Sequence, residues 1–320
     1  MTDDLPRPIP EWERQRCALI WPSERRPHLV HLFRDIVRSI SRVADVTVFA
    51  VETASLSGLR ADLSQLDIEV SPDIWIQDFA PIPVQLPSGR IEFVKFIYNP
   101  RYLADVPEAS SIDDSFGAGL GNRLSIPTVH IPLRIDGGSL VFTGEGIAIG
   151  TERIISDNRL EGKRHIEDVL MHRLGIKQLI IVPGEPHDIT GHIDGMVRFV
   201  DDRTVLIGSY PEKYRAGHRY GELLRELIGQ ALGHEYRIVR VQNSMPSDES
   251  CEGLMSAVGN RLNFIQCGKT LFLPLYGSPE EDSFVESLNA DLPSFRIQTL
   301  NGCIPLARLG GVLHCVSWQW

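Results

Sequence analysis

Apolar and polar positions along the chain repeat one pattern: an apolar strand, a tight turn and a second apolar strand. The pattern occurs at residues 135–150 (IDGGSLVFTGEGIAIG), 193–208 (IDGMVRFVDDRTVLIG) and 261–274 (RLNFIQCGKTLFLP). The Gly and Asp residues in its turns are typical of short hairpin loops. A longer copy covers residues 73–94, with PSG at its turn. Each of these stretches therefore predicts a β-hairpin.

Helical periodicity separates the hairpins from a further strand. Apolar residues recur at spacings of three and four, which places them on one face of a helix. The three predicted faces are Phe33, Ile36, Val37 and Ile40; Ile166, Val169, Leu170 and Leu174; and Leu223, Leu224, Leu227, Ile228 and Leu232. A single apolar strand follows each helix, with the sequences DVTVFAV, QLIIVPG and YRIVRV.

The repeating unit is therefore β-β-α-β and about 60 residues long, so that 320 residues hold about five units. Asp78, Asp136 and Asp194 recur 58 residues apart. Hairpins that alternate with single crossovers do not build a doubly wound sheet, whereas a closed ring buries the apolar face of each unit against its neighbours. We predict a single α/β domain over residues 1–320 in which the last strand completes the ring.

The C-terminal segment LGGVLHCVSWQW, residues 309–320, is apolar to its last position. Chain ends usually fray unless they are packed, so this segment predicts a buried strand. In it, Gly310 and Gly311 come shortly before His314 and Cys315. From these residues alone, Cys315 is either a buried small hydrophobic residue or a nucleophile. The remaining cysteines lack a flanking glycine pair and are interpreted as inert: Cys17, Cys251, Cys267 and Cys303.

Composition and charge narrow the partners of the chain. With 42% hydrophobic and 23% charged residues, it is an ordinary globular protein. The net charge of −10 argues against a nucleic-acid partner and permits a cationic ligand. Five scattered cysteines without a CxxC pair fit a reduced compartment and give no zinc motif. Since no apolar run has the length of a signal peptide or membrane span, we expect a cytoplasmic protein with no membrane partner.

The densest polar cluster is HDITGHIDG, residues 187–195. It predicts a loop entering a strand, on which His192 and Asp194 share a face because alternate residues project to the same side. Such a pair is either a catalytic base with its carboxylate or a surface salt bridge. Together with His187 and Asp188 it also suggests a metal site, although the two histidines are not spaced for one helix face.

Two other clusters contain an acidic residue in a setting that needs explanation. In PDIWIQDFAP, residues 72–81, Asp78 lies among apolar residues and either finds a charged partner or caps the following turn. In RIDGGS, residues 134–139, the glycine pair permits a close approach of the backbone, or simply a hairpin turn.

Four motifs in this order, WIQDFAP, DGGS, DITGHIDG and GGVLHC, resemble the agmatine deiminase and bacterial (Porphyromonas-type) peptidylarginine deiminase family. The resemblance covers essentially the whole chain. It implies the pentein fold, a five-bladed pseudo-symmetric α/β propeller, with which the repeat agrees. It also implies that a guanidino substrate is hydrolysed to a ureido product and ammonia, without a cofactor or a metal.

The resemblance also implies roles for individual residues. Cys315 matches the nucleophile and His192 the general acid/base. Asp78 and Asp194 match the carboxylates that hold the guanidinium, and Trp75 an aromatic residue that lines the site. Asp188 is also implicated, because it stands where agmatine deiminases typically have Glu, and we expect it to orient the imidazole of His192.

Two positions depart from the family pattern. Gln77 stands where Arg normally precedes the Asp, and Asp136 replaces the Glu of an EGG motif. We expect both to shape the rim of the substrate pocket more than the reacting groups. The segment NSMPSDESCEGLM, residues 243–255, is a further predicted rim element.

A cysteine suits this chemistry because a thiol with an ordinary pKa near 8.5 supplies some thiolate at neutral pH. Repulsion by Asp78 and Asp194 predicts that Cys315 stays protonated until the cationic substrate binds. Three alternatives stay open: an amidinotransferase on the same fold, a metal-dependent hydrolase and a non-catalytic binding module. The sequence leaves open whether the substrate resembles agmatine or arginine, and it allows a homo-oligomer.

Overall fold

The computed structural model describes residues 5–22, 26–67, 72–100, 102, 107–244, 249–251 and 253–320. The strands in this part of the chain are β1 (Arg7–Pro8), β2 (Arg16–Ile20), β3 (Asp45–Ala50), β4 (Asp62–Gln65), β5 (Ile82–Gln85), β6 (Ile91–Ile97), β7 (Thr128–Arg134), β8 (Leu140–Phe142), β9 (Ile147–Thr151), β10 (Gln178–Val182), β11 (Val197–Asp201), β12 (Thr204–Ser209), β13 (Arg237–Gln242), β14 (Ser250–Cys251), β15 (Leu254–Met255), β16 (Ile265–Cys267), β17 (Thr270–Pro274), β18 (Arg296–Leu300) and β19 (Trp318–Gln319). The helices are α1 (Val30–Ile40), α2 (Ile76–Phe79), α3 (Pro107–Leu124), α4 (Arg153–Asp157), α5 (Lys163–Leu174), α6 (Arg215–Leu232), α7 (Glu281–Asp291) and α8 (Ile304–Ala307).

Strand pairing confirms the predicted β-β-α-β unit. β8 pairs antiparallel with β9, and after helix α5 the chain returns as β10, which pairs parallel with β9. The same arrangement recurs with β11, β12, α6 and β13, and again with β16, β17, α7 and β18. β5, β6, α3 and β7 form another copy, to which β1 adds an edge strand.

The two ends of the chain meet in one sheet. β19 pairs antiparallel with β2, and β2 pairs parallel with β3, to which β4 is added. The last strand therefore completes the first unit, as predicted. The strand predicted over residues 309–320 is nevertheless too long. Cys315 lies in a turn, because the N–H of Ser317 donates to the carbonyl of His314 and bends the chain before β19 begins.

The helices pack their apolar faces against the sheets. The predicted face of α1 is confirmed, since all four of its members are fully buried: Phe33, Ile36, Val37 and Ile40. Leu32, 5% exposed, extends this face. Each buried side chain of this size stabilises the fold by about 1.5–3 kcal/mol. On α6 the prediction is wrong for Leu223, which is 40% exposed, because the helix packs through Tyr220, Leu224 and Ile228. No helix in the described ranges combines the length and apolar character needed to cross a membrane.

Loops that precede the first strands of different units are joined by hydrogen bonds. The N–H of Ile193 donates to the carbonyl of Gly138 at 2.9 Å. The N–H of Gln77 donates to the carbonyl of Cys315 at 3.2 Å, and the N–H of Cys315 lies 3.4 Å from the side-chain oxygen of Asn263. Residues from distant parts of the sequence therefore meet at one place.

Candidate active site

A cavity of about 660 Å³ lies where these loops meet. Several residues singled out from the sequence line it: Trp75, Asp78, Asp188, His192, Asp194 and Cys315. Their local structure differs from the prediction at one point. His192 and Asp194 lie in a turn before β11 and not on a strand face, because the N–H groups of Met196 and Val197 bond back to the carbonyl of Ile193.

Cys315 is buried in the cavity wall, 8% exposed. Its sulfur lies 3.4 Å from Oδ1 of Asn263, which accepts from the thiol. A Cβ on Gly311 would lie 3.1 Å from this sulfur and 2.6 Å from the ring of Trp75, so the glycine allows the backbone to pass between them. Burial and the nearby charges of Asp194 and Asp78 raise the pKa of the Cys315 thiol well above its ordinary value. The residue is therefore a protonated thiol in this state.

His192 lies between two carboxylates. Its Nε2 is 3.2 Å from Oδ2 of Asp136, and its Nδ1 is 3.5 Å from Oδ1 of Asp78. Burial alone would lower the pKa of His192, but Asp78 and Asp136 outweigh it and raise this pKa to about 9. Because Asp78 lines the cavity and Asp136 holds Nε2 from behind, Nδ1 is the nitrogen able to exchange a proton there.

Asp136 and Asp188 do not occupy the places predicted for them. Asp136 lies behind the imidazole and not at the pocket rim, and its Oδ2 also accepts from Nη2 of Arg153 at 2.7 Å. Asp188 does not contact the ring of His192. It accepts from the N–H and hydroxyl of Thr190, at 2.8 and 2.6 Å, because its short side chain closes a local turn. The ring contact expected of Asp188 is thus made by Asp136.

Gln77 is not a rim residue either. It lies outside the wall of the main cavity, and its backbone carbonyl is packed so closely against Gly137 that a Cβ there would lie 1.9 Å from it. The predicted rim segment 243–255 does reach the cavity, through Ser244, Cys251 and Leu254. Residues 245–248 and 252 of this segment lie outside the described residues.

Asp78 sits at the N-terminal end of the hairpin β5–β6, on the short helix α2, and is 7% exposed. Its Oδ1 is buried and has no hydrogen-bond partner among the described residues. Burial raises the pKa of Asp78 to about 7, and the charges of Asp136 and Asp194 act in the same direction against the opposing effect of His192. Nδ1 of His192 lies 3.5 Å from this oxygen, too far for a hydrogen bond, so Oδ1 can still accept from a donor in the cavity. A buried acceptor left without a hydrogen bond costs about 1–3 kcal/mol, which a ligand with an N–H group would recover.

Asp194 is held by hydrogen bonds, whereas Oδ1 of Asp78 faces Nδ1 of His192 at 3.5 Å without forming one. Its Oδ2 accepts from Nδ1 of His314 at 2.5 Å and from Nδ2 of Asn263 at 3.2 Å. Burial alone would raise the pKa of Asp194, but the hydrogen bond and charge of His314 lower it below its ordinary value. Asp194 is therefore ionised, and two carboxylates of different protonation behaviour lie in one cavity.

Asn263 is a site residue that the sequence reasoning missed. Its amide links Cys315 to Asp194, because Oδ1 accepts from the sulfur while Nδ2 donates to the carboxylate. A signal was available in the repeat: Asn263 comes two residues before β16, just as Asp194 comes three before β11 and Cys315 three before β19.

The four residues of the metal site that the sequence suggested as an alternative each contact a different partner. Asp188 bonds Thr190, His192 bonds Asp136, Asp194 bonds His314, and the ring of His187 lies 5.4 Å from that of Tyr214. In the described ranges, no three His, Cys, Asp or Glu side chains are arranged to hold a metal ion.

The far end of the cavity is acidic and aromatic, with Glu185, Asp188, Tyr210 and Tyr214 in its wall. Oε1 of Glu185 is buried and has no hydrogen-bond partner within the described residues. Burial, together with the charge of Asp188, raises the pKa of Glu185. This end is thus suited to a second positive group or a donor on the ligand.

Known proteins resemble this chain over nearly its whole length. An agmatine deiminase of Medicago truncatula is 24% identical, over 97% of this chain and 94% of the relative. The solved structure of C. jejuni agmatine deiminase superposes with a TM-score of 0.85 at 20% identity, over 98% of this chain and 96% of that one. The DDAH of Pseudomonas aeruginosa superposes with a TM-score of 0.57 at 10% identity, over 96% and 99%. The mixed α/β fold is thus the pentein fold.

These findings define the class of protein as a deiminase, a hydrolase that acts on C–N bonds. The chain belongs to the Porphyromonas-type peptidyl-arginine deiminase family, whose model matches residues 7–320. The family and the enzyme class predicted from the sequence are both confirmed.

Proposed function

We propose that this protein is a guanidine deiminase of the agmatine type, which converts a small guanidino amine to its ureido product and ammonia through a covalent intermediate on Cys315. The observation that carries the proposal is that one cavity brings together the thiol of Cys315, the imidazole of His192 and the carboxylates of Asp78 and Asp194, from loops far apart in sequence. The related deiminases described above support the reaction class.

The two carboxylates account for binding. A guanidinium is planar and cationic, and carboxylates accept its N–H groups in a fork that fixes its plane. Oδ1 of Asp78 and the ionised Asp194 would accept from N–H groups at different edges of the guanidinium, in its plane, which leaves its face open to the sulfur. Trp75, in the cavity wall beside Cys315, would cover one face of the alkyl chain.

The thiol and imidazole account for the chemistry. When the cation cancels the charges of Asp78 and Asp194, Cys315 releases its proton to solvent, and the sulfur forms a bond to the guanidinium carbon. His192, protonated below about pH 9, gives its proton through Nδ1 to the departing nitrogen, so that the C–N bond breaks and ammonia leaves. His192 then takes a proton from water, whose oxygen bonds to the carbon. The C–S bond breaks, and the proton of the added hydroxyl passes to the sulfur, which leaves the ureido product and the thiol.

The acidic far end of the cavity favours a substrate with a second cation. A decarboxylated amine such as agmatine would place its ammonium near Glu185 and Asp188, whereas free arginine would place a carboxylate beside these acids. Like charges placed close together destabilise a complex, so arginine should be the poorer substrate.

Ammonia release from agmatine, free arginine and an arginine-containing peptide tests the proposal, with Cys315→Ala as the blank. We expect agmatine to be turned over at least tenfold more efficiently (kcat/KM) than arginine, without an added amine. An absolute requirement for an acceptor amine would instead make the protein an amidinotransferase, and turnover of the peptide alone would move the substrate class to peptidyl arginine.

Two broader features belong to the same proposal. The five β-β-α-β units would form a five-bladed propeller with the cavity at its centre, which the closing pair β19–β2 supports. A reducing, cytoplasmic setting is supported by the free thiol of each cysteine in the chain.

A further inference from the structure

His314 precedes the proposed nucleophile and has no part in the reaction described above. It is 3% exposed, and both of its ring nitrogens face carboxylates. Nδ1 lies 2.5 Å from Oδ2 of Asp194, and Nε2 lies 2.8 Å from Oε1 of Glu11. Because an ionised carboxylate can only accept, both nitrogens must carry a hydrogen, and the geometry requires an imidazolium.

The contacts continue beyond Glu11. Its Oε2 forms an ion pair with Arg198, a 1% exposed guanidinium on β11 that also donates to the carbonyl of Phe264 at 2.8 Å. Charges therefore alternate along a buried chain from Asp194 through His314 and Glu11 to Arg198. Such a chain compensates each buried charge by its neighbours, without which burial would be costly.

We propose that His314 is the positioning residue for Asp194: its imidazolium keeps this carboxylate ionised and fixes Oδ2, so that Oδ1 is presented to the substrate cation. Through Glu11, this arrangement also ties the site to the N-terminal segment, 303 residues away in sequence. The inference rests on the proposed function, since it takes Asp194 as a substrate-binding group.

Asp78 provides an internal comparison. Both carboxylates line the same cavity and are buried, at 7% and 2% exposure. Asp78, whose Oδ1 has no hydrogen-bond partner within the described ranges, has a pKa raised to about 7, whereas the pKa of Asp194 is lowered by its bond to His314. Asp78 also faces an imidazole, but Nδ1 of His192 lies 3.5 Å from its Oδ1, whereas Nδ1 of His314 lies 2.5 Å from Oδ2 of Asp194. The short hydrogen bond from His314 therefore distinguishes the two carboxylates.

Removing the imidazolium should therefore make Asp194 behave like Asp78. The charged groups facing His314 are Asp194 and Glu11, with Arg198 behind Glu11. His314→Gln removes the positive charge and leaves Asp194 as a buried acid beside Asp78. Asp194 should then take up a proton near neutral pH, and a protonated carboxyl group binds a guanidinium weakly.

Binding of agmatine to Cys315→Ala, measured by calorimetry between pH 6 and pH 9, tests this effect. Adding His314→Gln should weaken binding at least tenfold at pH 6 and much less at pH 9. The matched control is His172→Gln, an exposed histidine on α5, which should leave the pH profile unchanged. Equal loss at every pH, or no loss, would overturn the positioning role.

The ¹⁵N spectrum of the histidine side chains gives a readout independent of activity. The signals lost in His314→Gln identify His314, and both nitrogens should stay protonated from pH 6 to pH 9. An unprotonated nitrogen at pH 7 would overturn the inference. If agmatine bound at no pH, the proposed function would fail, and this spectrum would still decide the charge of His314.

Glu11→Gln is a second variant that keeps the contact with Asp194, for use where His314→Gln does not fold. It removes one of the two anionic partners, so His314 should lose its imidazolium form at a lower pH than in the unmodified protein. An unchanged titration of His314 would contradict the proposed chain of charges.

Discussion

Replacing Asp136 by Asn should shift the activity of the enzyme toward lower pH. Asp136 holds Nε2 of His192 at 3.2 Å without lining the cavity, so the change removes an anion from the imidazole and no predicted contact from the substrate. The variant keeps a side chain of nearly the same shape. It therefore tests the electrostatic role of Asp136 more than its packing.

The magnitude follows from the environment of His192. Its pKa is raised from 6.5 to about 9, which corresponds to roughly 3 kcal/mol in favour of the imidazolium at 1.36 kcal/mol per pKa unit. Asp78 is the largest raising influence, and the hydrogen bond and charge of Asp136 supply the rest. Losing the contribution of Asp136 should lower the pKa by roughly one to two units. At pH 8 the protonated fraction would fall from about nine-tenths to between about one half and one tenth, and the rate that depends on this general acid would fall with it.

Steady-state ammonia release from agmatine between pH 5.5 and pH 10 measures this effect. The pH at which kcat/KM declines on the alkaline side should fall in Asp136→Asn, with kcat at pH 8 reduced roughly 2- to 10-fold. Asp157→Asn is the matched control, because Asp157 bonds the same Arg153 at 3.0 Å but not the imidazole. An alkaline limb that stays in place, or moves equally in both variants, would refute the reasoning.

Three further outcomes are expected. Cys315→Ala should abolish ammonia release. Cys251→Ala changes a half-buried thiol in the wall of the same cavity and should retain most of the activity. Comparable losses in the two variants would contradict the assignment of Cys315 as the nucleophile. In the unmodified enzyme, kcat/KM should fall below about pH 7 because Asp78 gains a proton, and above about pH 9 because His192 loses one. A flat profile between pH 6 and pH 10 would be inconsistent with the roles of these two groups. Gly138→Ala should reduce kcat at least tenfold, because its Cβ would lie 2.6 Å from Nδ1 of His192, and a variant of unchanged activity would show that the imidazole can move freely.

The sequence predicted the fold well because burial imposes the period of each element. Helix α1 shows this, since its apolar spacing matches a face that is buried throughout. Residue order also indicated ring closure, because the apolar segment at the C-terminus needed a packing partner and finds it in β2.

The local shape of the site loops was not predictable in the same way. His192 and Asp194 were predicted on a strand from alternation, and Cys315 on a strand from the apolar C-terminal segment. They lie in loops and turns, because hydrogen bonds within these loops and between units determine the backbone there. A local sequence pattern does not show which units of the fold contact each other, so it does not predict the hydrogen bonds between their loops.

Position in the repeat was the best signal for the site. Asp78, Asp194, Asn263 and Cys315 each lie two to four residues before the first strand of a sheet, which is where loops of different units converge. The residues that hold these side chains in place gave no such signal in the sequence. Glu11 reaches His314 from the opposite end of the sequence, so only the folded chain shows that the two interact.

Mass spectrometry of the enzyme quenched in acid during turnover of agmatine tests the covalent role of Cys315. We expect an adduct with the mass of agmatine less ammonia, confined to the peptide that carries Cys315 and absent from Cys315→Ala. Ammonia release with no such adduct on any quenching timescale, or an adduct on another residue, would contradict the covalent mechanism.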